Sequence, residues 1–286
     1  MNKSVAALLV LLVGSFAFLY QHVISKLVND WYVDENYSHG FLIVPIAVYF
    51  VWERRQKLKE SLQKPSYWGI VLILGSMMLL LAGILGSELF LTRISILGTI
   101  AGIVLFLCGW NHLKILLLPI AFLILMIPIP SIIFNQIAFP LQLLASRFGE
   151  MALLASQIPV LREGNVIHLA NTSLEVAEAC SGIRSLISLL TLGIVYGYFT
   201  DSRTWVRMAL ALGTIPIAII ANGIRVAGTG IAAYFYGEEA AQGFFHSFSG
   251  WIIFIAAFIM MFILYRAIAW IWPDRRHQNA ALQEEL

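Results

Sequence analysis

The chain has 286 residues, of which 60% are hydrophobic and 12% charged, with a formal net charge of +2. Soluble domains run near half apolar and a quarter charged, so this balance and a mean hydropathy of +0.84 point to a membrane protein. A cytosolic enzyme, a secreted disulfide scaffold, a coiled coil and a disordered chain are excluded. Two cysteines, Cys108 and Cys180, supply neither a disulfide framework nor a four-ligand metal set.

In chain order, Lys3 and the apolar run 5–22 have the outline of a signal peptide. The run ends in Tyr20, Gln21 and His22 instead of a small-residue cleavage site, which predicts an uncleaved first span. Further runs fall at 39–52, 67–86, 91–109, 113–129, 183–199, 205–221 and 248–272. A spanning helix needs roughly 20 apolar residues, so the pattern predicts an all-α polytopic membrane protein of about eight transmembrane helices. The run at 39–52 is short and holds Pro45, and segment 224–236 reads as a separate re-entrant or interfacial helix. An integral-membrane domain over 1–272 and a disordered cytoplasmic tail over 273–286 complete the layout.

Orientation follows lysine and arginine. Arg54, Arg55, Lys57, Lys59 and Lys64 share a side with Lys3, Lys114, Arg203, Arg207, Arg266, Arg275 and Arg276. The other side holds Lys26, Arg93, Arg147, Arg162, Arg184 and Arg225. This bias predicts cytoplasmic termini. Gly98/Gly102 and Gly193/Gly197 read as helix-packing pairs.

The long connection 130–181, between spans five and six, is expected on the extracytoplasmic side. It opens with an apolar stretch at 132–155 that suits an interfacial helix. A segment with turn residues, LREGNVIHLANTSLEVAEAC, follows and predicts a small hairpin where a polypeptide substrate is recognised.

Ionisable groups at membrane depth are costly and mark function. Three segments qualify: Glu175–Arg184, Asn222-Gly223-Ile224-Arg225 and His246–Gly250. They enter span six, leave span seven and enter span eight, so crossing parity puts all three at the outer face. Cys108, in an apolar run, reads as a packing residue. Cys180 is different, because Glu178, Ser181 and Arg184 surround it and a helix N-terminus favours a thiolate. Glu178 and Arg184 also suit a structural ion pair, Arg225 a snorkelling cation, and His39 (in Tyr37-Ser38-His39-Gly40) a structural role.

Taken together, Cys180, Arg225 and His246 supply a nucleophile, an electrostatic clamp and an acid/base, the set that acyl transfer needs. No metal, cofactor or nucleic acid is called for. The chemistry favours Arg225 as clamp and His246 as acid/base, since arginine is a poor proton donor.

At these residues the chain resembles the exosortase/archaeosortase family of multi-spanning membrane transpeptidases. The matching features are Tyr37-Ser38-His39-Gly40, Glu178-Ala179-Cys180-Ser181-Gly182-Ile183-Arg184, Asn222-Gly223-Ile224-Arg225, and His246 before an apolar span, across roughly residues 30–270. The resemblance implies a cysteine transpeptidase or endopeptidase of the bacterial inner membrane, working at its extracytoplasmic face. Its substrates would be exported proteins ending in a short motif (Pro-Glu-Pro in the bacterial branch), a transmembrane helix and a basic cluster. Cys180 would carry the acyl-thioester, Arg225 would be proton donor or oxyanion stabiliser, and His246 the remaining polar member. Glu178, Ser181, Arg184, Asn222 and His39 would be supporting residues, with membrane lipid around the enzyme and an exopolysaccharide or lipid as acceptor.

Rival readings are a transporter or a polysaccharide-export component without proteolytic activity, although the chain lacks the internal repeats common in transporters. Other intramembrane proteases fit poorly. A Glu238-Glu239 pair has Gly243 where a prenyl-endopeptidase motif needs arginine, and Ser249 lacks the preceding glycine of a rhomboid nucleophile.

Overall fold

The computed structural model describes residues 3–170, 172–176, 183–237 and 244–273. The chain divides into two compact units, Met1–Ile133 and Phe134–Leu286.

The first unit contains α1 (Lys3–Val33), a 3-10 turn at Glu35–Tyr37, α2 (Gly40–Glu53), α3 (Arg55–Glu60), α4 (Trp68–Leu85), α5 (Leu89–Cys108) and α6 (Trp110–Phe122). The last of these tightens into a 3-10 turn at Leu123–Met126. In lipid no hydrophobic force drives helices together, so small residues that permit close backbone approach carry the packing. Helices α4 and α5 depend on this. A Cβ on Gly102 would meet Ile73 Cγ1 at 2.7 Å and one on Gly83 would meet Thr92 Cγ2 at 2.7 Å, while Gly98 lies against Ser76 Oγ and Gly69 against the Phe106 backbone. The packing role expected of Gly98 and Gly102 is borne out. Polar contacts join α1 to α5: the Tyr20 hydroxyl bonds Ser95 Oγ (3.1 Å) and Thr99 Oγ1 (2.8 Å), and buried Arg93 pairs with Asp30.

The second unit contains α7 (Ser131–Ala155), which starts just before the division, then three strands, α8 (Ile183–Thr200), α9 (Thr204–Tyr236) and α10 (Phe244–Ile271). Helices α8, α9 and α10 share an apolar core that includes Leu189, Leu210, Ala218, Ala257 and Met261. Gly193 on α8 lies 2.5 Å from Thr214 Cγ2 on α9, measured from where its Cβ would be, as expected of a packing glycine. One end of the three helices is tied by polar bonds. Arg203 donates to Asp201 Oδ2 (2.7 Å) and to the Trp272 carbonyl (2.6 Å), and Tyr265 Oη donates to the Thr200 carbonyl (3.2 Å). The Arg203 hydrogen bond holds the Asp201 carboxyl below its ordinary range.

The expected hairpin is present and gains a strand. β1 (Val160–Glu163), β2 (Val166–Leu169) and β3 (Ser173–Glu175) form an antiparallel meander, with Glu163 opposite Val166 and Ile167 opposite Leu174. Gly164, at φ +64°, supplies the left-handed backbone that the two-residue turn requires.

Among the described residues six helices are long and apolar enough to cross a membrane: Val10–Val33, Trp68–Leu85, Leu89–Cys108, Ser131–Ala155, Thr204–Tyr236 and Gly250–Ile271. This is a polytopic helical membrane protein. Two further expected spans correspond to shorter apolar helices, Trp110–Met126 and Leu186–Thr200, and the run at 39–52 forms the 14-residue α2. The stretch at 132–155, expected as an interfacial helix, forms a 25-residue helix that is also long enough to span. One local expectation changes. The separate helix expected at 224–236 is instead the last turns of α9, which runs unbroken through Asn222-Gly223. Packing overrides the low helix propensity of Gly223, because that glycine lets α9 approach Phe148 Cβ, 2.9 Å from where its own Cβ would stand.

Gly98→Leu should destabilise the α4–α5 pair by about 1–3 kcal/mol through overpacking. Gly75→Leu, where an added Cβ meets nothing within 4 Å, should leave stability unchanged. Thermal unfolding in detergent, followed by tryptophan fluorescence, checks both.

Candidate active site

The second unit builds a small platform. The buried face of α7 carries Phe134, Ala138, Gln142, Ala145, Ser146, Gly149 and Leu153 at helical spacing. The sheet lies on this face. Ser146 Oγ donates to the Gly164 carbonyl in the β1–β2 turn (2.9 Å). Arg162 of β1 donates from Nε to Glu150 Oε2 (2.7 Å) and from Nη1 to the Gly164 carbonyl (2.8 Å). Gly149 admits both Ile167 of β2 and Val226 of α9, whose side chains stand 3.0 Å and 2.6 Å from where its Cβ would be. One buried apolar cluster therefore joins α7 (Ala145, Leu153), the sheet (Ile167, Leu169), Val176 after β3, and α9 (Val226, Ala233).

Val176 is the last described residue before the segment that holds Cys180. Its backbone is fixed at both ends: the N–H donates to the Asn165 carbonyl (2.9 Å) and its carbonyl accepts from Asn165 Nδ2 (3.3 Å). Arg225 precedes Val226 of the same cluster. Asn222 is buried on α9, and Arg225 is half-buried one turn further on.

Arg184 is placed in the first turn of α8 and His246 in the first turn of α10, their side chains lying outside what is described. Counted along each helix from the end fastened by Arg203 and Trp272, these positions stand at about 24 Å for Arg184, about 32 Å for Arg225 and about 38 Å for His246. Each belongs to the half of its helix away from that end. Glu178, Cys180 and Ser181 lie outside the described residues.

His39 belongs to the first unit, where it meets the end of a helix. Pro128 and Pro130 end the α6 helical path, because neither has an N–H to continue it. That leaves carbonyls of the last turn without intrahelical donors. His39 Nε2 lies 3.1 Å from the Leu125 carbonyl, which fixes Nε2 as the protonated nitrogen, and Trp31 Nε1 donates to the Met126 carbonyl (2.8 Å). The Ile129 N–H donates to Tyr37 Oη (3.3 Å), and Gly40 is the one residue that fits against the Trp31 indole, 2.5 Å from where its Cβ would stand. The Tyr37-Ser38-His39-Gly40 motif thus caps a proline-terminated helix. The sequence reading missed Trp31, Ser146, Glu150 and Arg162 as contributors. For Trp31 the Ile127-Pro128-Ile129-Pro130 string was the available signal, since it leaves carbonyls in need of a donor.

Among the described residues no three His, Cys, Asp or Glu side chains gather closely enough to hold a metal ion.

The family model for transmembrane exosortases matches residues 31–263. No curated protein and no solved structure matches the chain.

Burial pushes the His39 pKa below its usual 6.5, opposed in part by its backbone hydrogen bonds. The folded state then takes up the His39 proton less readily than the unfolded state does. The stability of the first unit should be fullest above about pH 6.5 and fall as the pH drops through the depressed pKa. His39→Gln, which keeps a donor and removes the titration, should flatten this dependence in melting curves between pH 5 and 8; an unchanged slope would refute it. Trp31→Phe strands the Met126 carbonyl and should cost about 1–3 kcal/mol, read in the same melts.

Proposed function

The chain belongs to the transmembrane exosortase family, and we propose that it is a cysteine transpeptidase of the bacterial inner membrane whose nucleophile is Cys180. Its substrates are exported proteins carrying a C-terminal motif of the Pro-Glu-Pro kind, a transmembrane helix and a basic tail. The integral-membrane domain covers 1–272, both termini are cytoplasmic, and the active site opens at the extracytoplasmic face.

The observation that carries this reading is the shared cluster of Val176 and Val226. Cys180 lies four residues beyond Val176, a reach of about 14 Å at most. Arg225 is the immediate neighbour of Val226. The two candidate groups are therefore tethered to one rigid apolar patch, held by α7 and by the Ser146 and Arg162 bonds. The short link to α8, which starts at Ile183, tethers Cys180 from its other side.

The chemistry proceeds in two balanced steps. The Cys180 thiolate attacks the scissile carbonyl carbon, and the Arg225 guanidinium neutralises the developing oxyanion. The C–N bond breaks, a thioester forms, and His246 delivers a proton to the leaving amine of the anchor segment. An acceptor nucleophile, from an exopolysaccharide or a lipid, then attacks the thioester carbonyl. The C–S bond breaks, the acceptor's proton passes to His246, and the Cys180 thiolate is regenerated. Glu178, Ser181, Arg184 and Asn222 support the site, and His39 serves the fold.

Cys180→Ala should abolish processing of a co-expressed exported protein bearing the three-part tail while expression and melting temperature stay at wild-type values. Arg225→Ala should slow processing by about 100-fold or more, with partial recovery in Arg225→Lys. Mass spectrometry of the wild type should find a hydroxylamine-sensitive substrate adduct on Cys180. Continued processing by Cys180→Ala would sink the proposal.

A further inference from the structure

The three-stranded sheet has two edges, β1 and β3, and only β3 runs directly into the segment that holds Cys180. At β1 the outward-facing position Arg162 is committed to Glu150 and to the Gly164 carbonyl. At β3 nothing among the described residues pairs with the outer edge, because the strand order ends there.

The direction of the β3 backbone groups follows from the ladder. The Leu169 N–H donates to the Thr172 carbonyl (2.8 Å) and the Val176 N–H to the Asn165 carbonyl (2.9 Å). In an antiparallel pair, residues that face the partner alternate with residues that face away. Thr172, Leu174 and Val176 therefore bond toward β2, and the N–H and C=O groups of Ser173 and Glu175 point outward. Both residues are exposed. The edge is short and carries Glu175, which limits indiscriminate pairing, and it contains no proline, so its outward N–H groups remain available as donors.

Resting on the active-site reading above, we propose that the outer edge of β3 is the substrate-docking strand: an extended segment of the exported polypeptide adds to the sheet by bonding the outward N–H and C=O groups of Ser173 and Glu175. This mode draws affinity from main-chain hydrogen bonds and needs an extended, unpaired peptide as its occupant. The edge is continuous with the candidate nucleophile, since β3 leads through Val176 into the segment holding Cys180, about 17 Å of extended chain from Glu175 at most. It is also rigid, because the cluster under Ile167 and Val176 and the bonds from Ser146 and Arg162 fix the sheet to α7. A peptide paired there is held along one line relative to the attacking sulfur, so strand register selects the scissile bond.

Proline offers a selective test, because it removes an outward N–H while leaving the ladder to β2 intact. The full-length protein, co-expressed with an exported substrate bearing the three-part tail, is compared as wild type, Ser173→Pro/Glu175→Pro, Ser173→Ala/Glu175→Ala and Cys180→Ala. The double proline variant should lose processing by about tenfold or more, and the double alanine variant, which keeps the backbone donors, should stay within about threefold of wild type. Mass-mapped iodoacetamide labelling of Cys180 and the melting temperature should match wild type in both.

Wild-type processing by a folded double proline variant overturns the docking strand, and an inactive Cys180→Ala alongside it leaves the active-site reading standing. Processing by Cys180→Ala overturns the active-site reading instead. Where the double proline variant fails to melt like wild type, a proline scan of the substrate segment preceding its anchor helix decides. Sensitivity at alternate positions supports strand addition, and sensitivity without that period of two overturns it.

Discussion

Within hydrocarbon, each backbone N–H and C=O must find its partner inside the protein, since no water is there to take its place. Wherever this chain leaves regular helix, it does so with substitutes in hand. The exit of α6 is the plainest case. Two prolines remove the donors that would continue the helix, and an indole and an imidazole drawn from a turn far upstream take the vacated carbonyls. The non-helical stretch after α7 likewise pairs much of its backbone, as a three-stranded antiparallel meander. The same requirement explains why α9 stays continuous through Asn222-Gly223: breaking it there would release several backbone groups, whereas an intact helix needs only a close neighbour.

That continuity has a consequence for the site. An unbroken helix of 33 residues carries Arg225 about one turn past Asn222, on the same rod as Val226, Gly230 and Ala233. Gly223 packs against Phe148 and Gly230 against Leu153, both on α7. Two glycine contacts on either side of Arg225 set its height and rotation with respect to α7. The sheet is fixed to that same helix by Ser146, Arg162 and Gly149. Helix α7 is therefore the common reference for the strand that approaches Cys180 and for the helix that bears Arg225.

Much of this was legible in the sequence, for identifiable reasons. Apolar run length located the long helices, because the bilayer imposes one dimension on them. Glycine spacing revealed the packing seams, since only a missing Cβ allows such approach. Alternation with Gly164 revealed the hairpin. Two features were not legible. The apolar stretch at 132–155 contains Gln142, Arg147 and Glu150, whose surroundings the sequence does not specify. In the fold, Gln142 is buried and Glu150 is paired to Arg162, and a pairing of that kind depends on tertiary structure that periodicity does not encode. Likewise, Asn222-Gly223 has the local signature of a helix end, and only the Phe148 contact reverses it. For the candidate site, residue types and order were readable, whereas the platform that supports them came from long-range contacts.

Arg93 and Arg225 both lie on apolar helices of spanning length, where a cation is costly, and their surroundings differ. Arg93 is 2% exposed and ion-paired with Asp30, in a unit whose other polar groups join helix to helix. Its charge is consumed by structure. Arg225 is half-buried and directly precedes Val226 of the cluster that includes Val176. Partial exposure is what an oxyanion clamp requires: the charge must remain reachable by a substrate carbonyl while low-dielectric walls strengthen its field. Arg93 therefore belongs to stability, and Arg225 has the half-exposure that the proposed clamp needs.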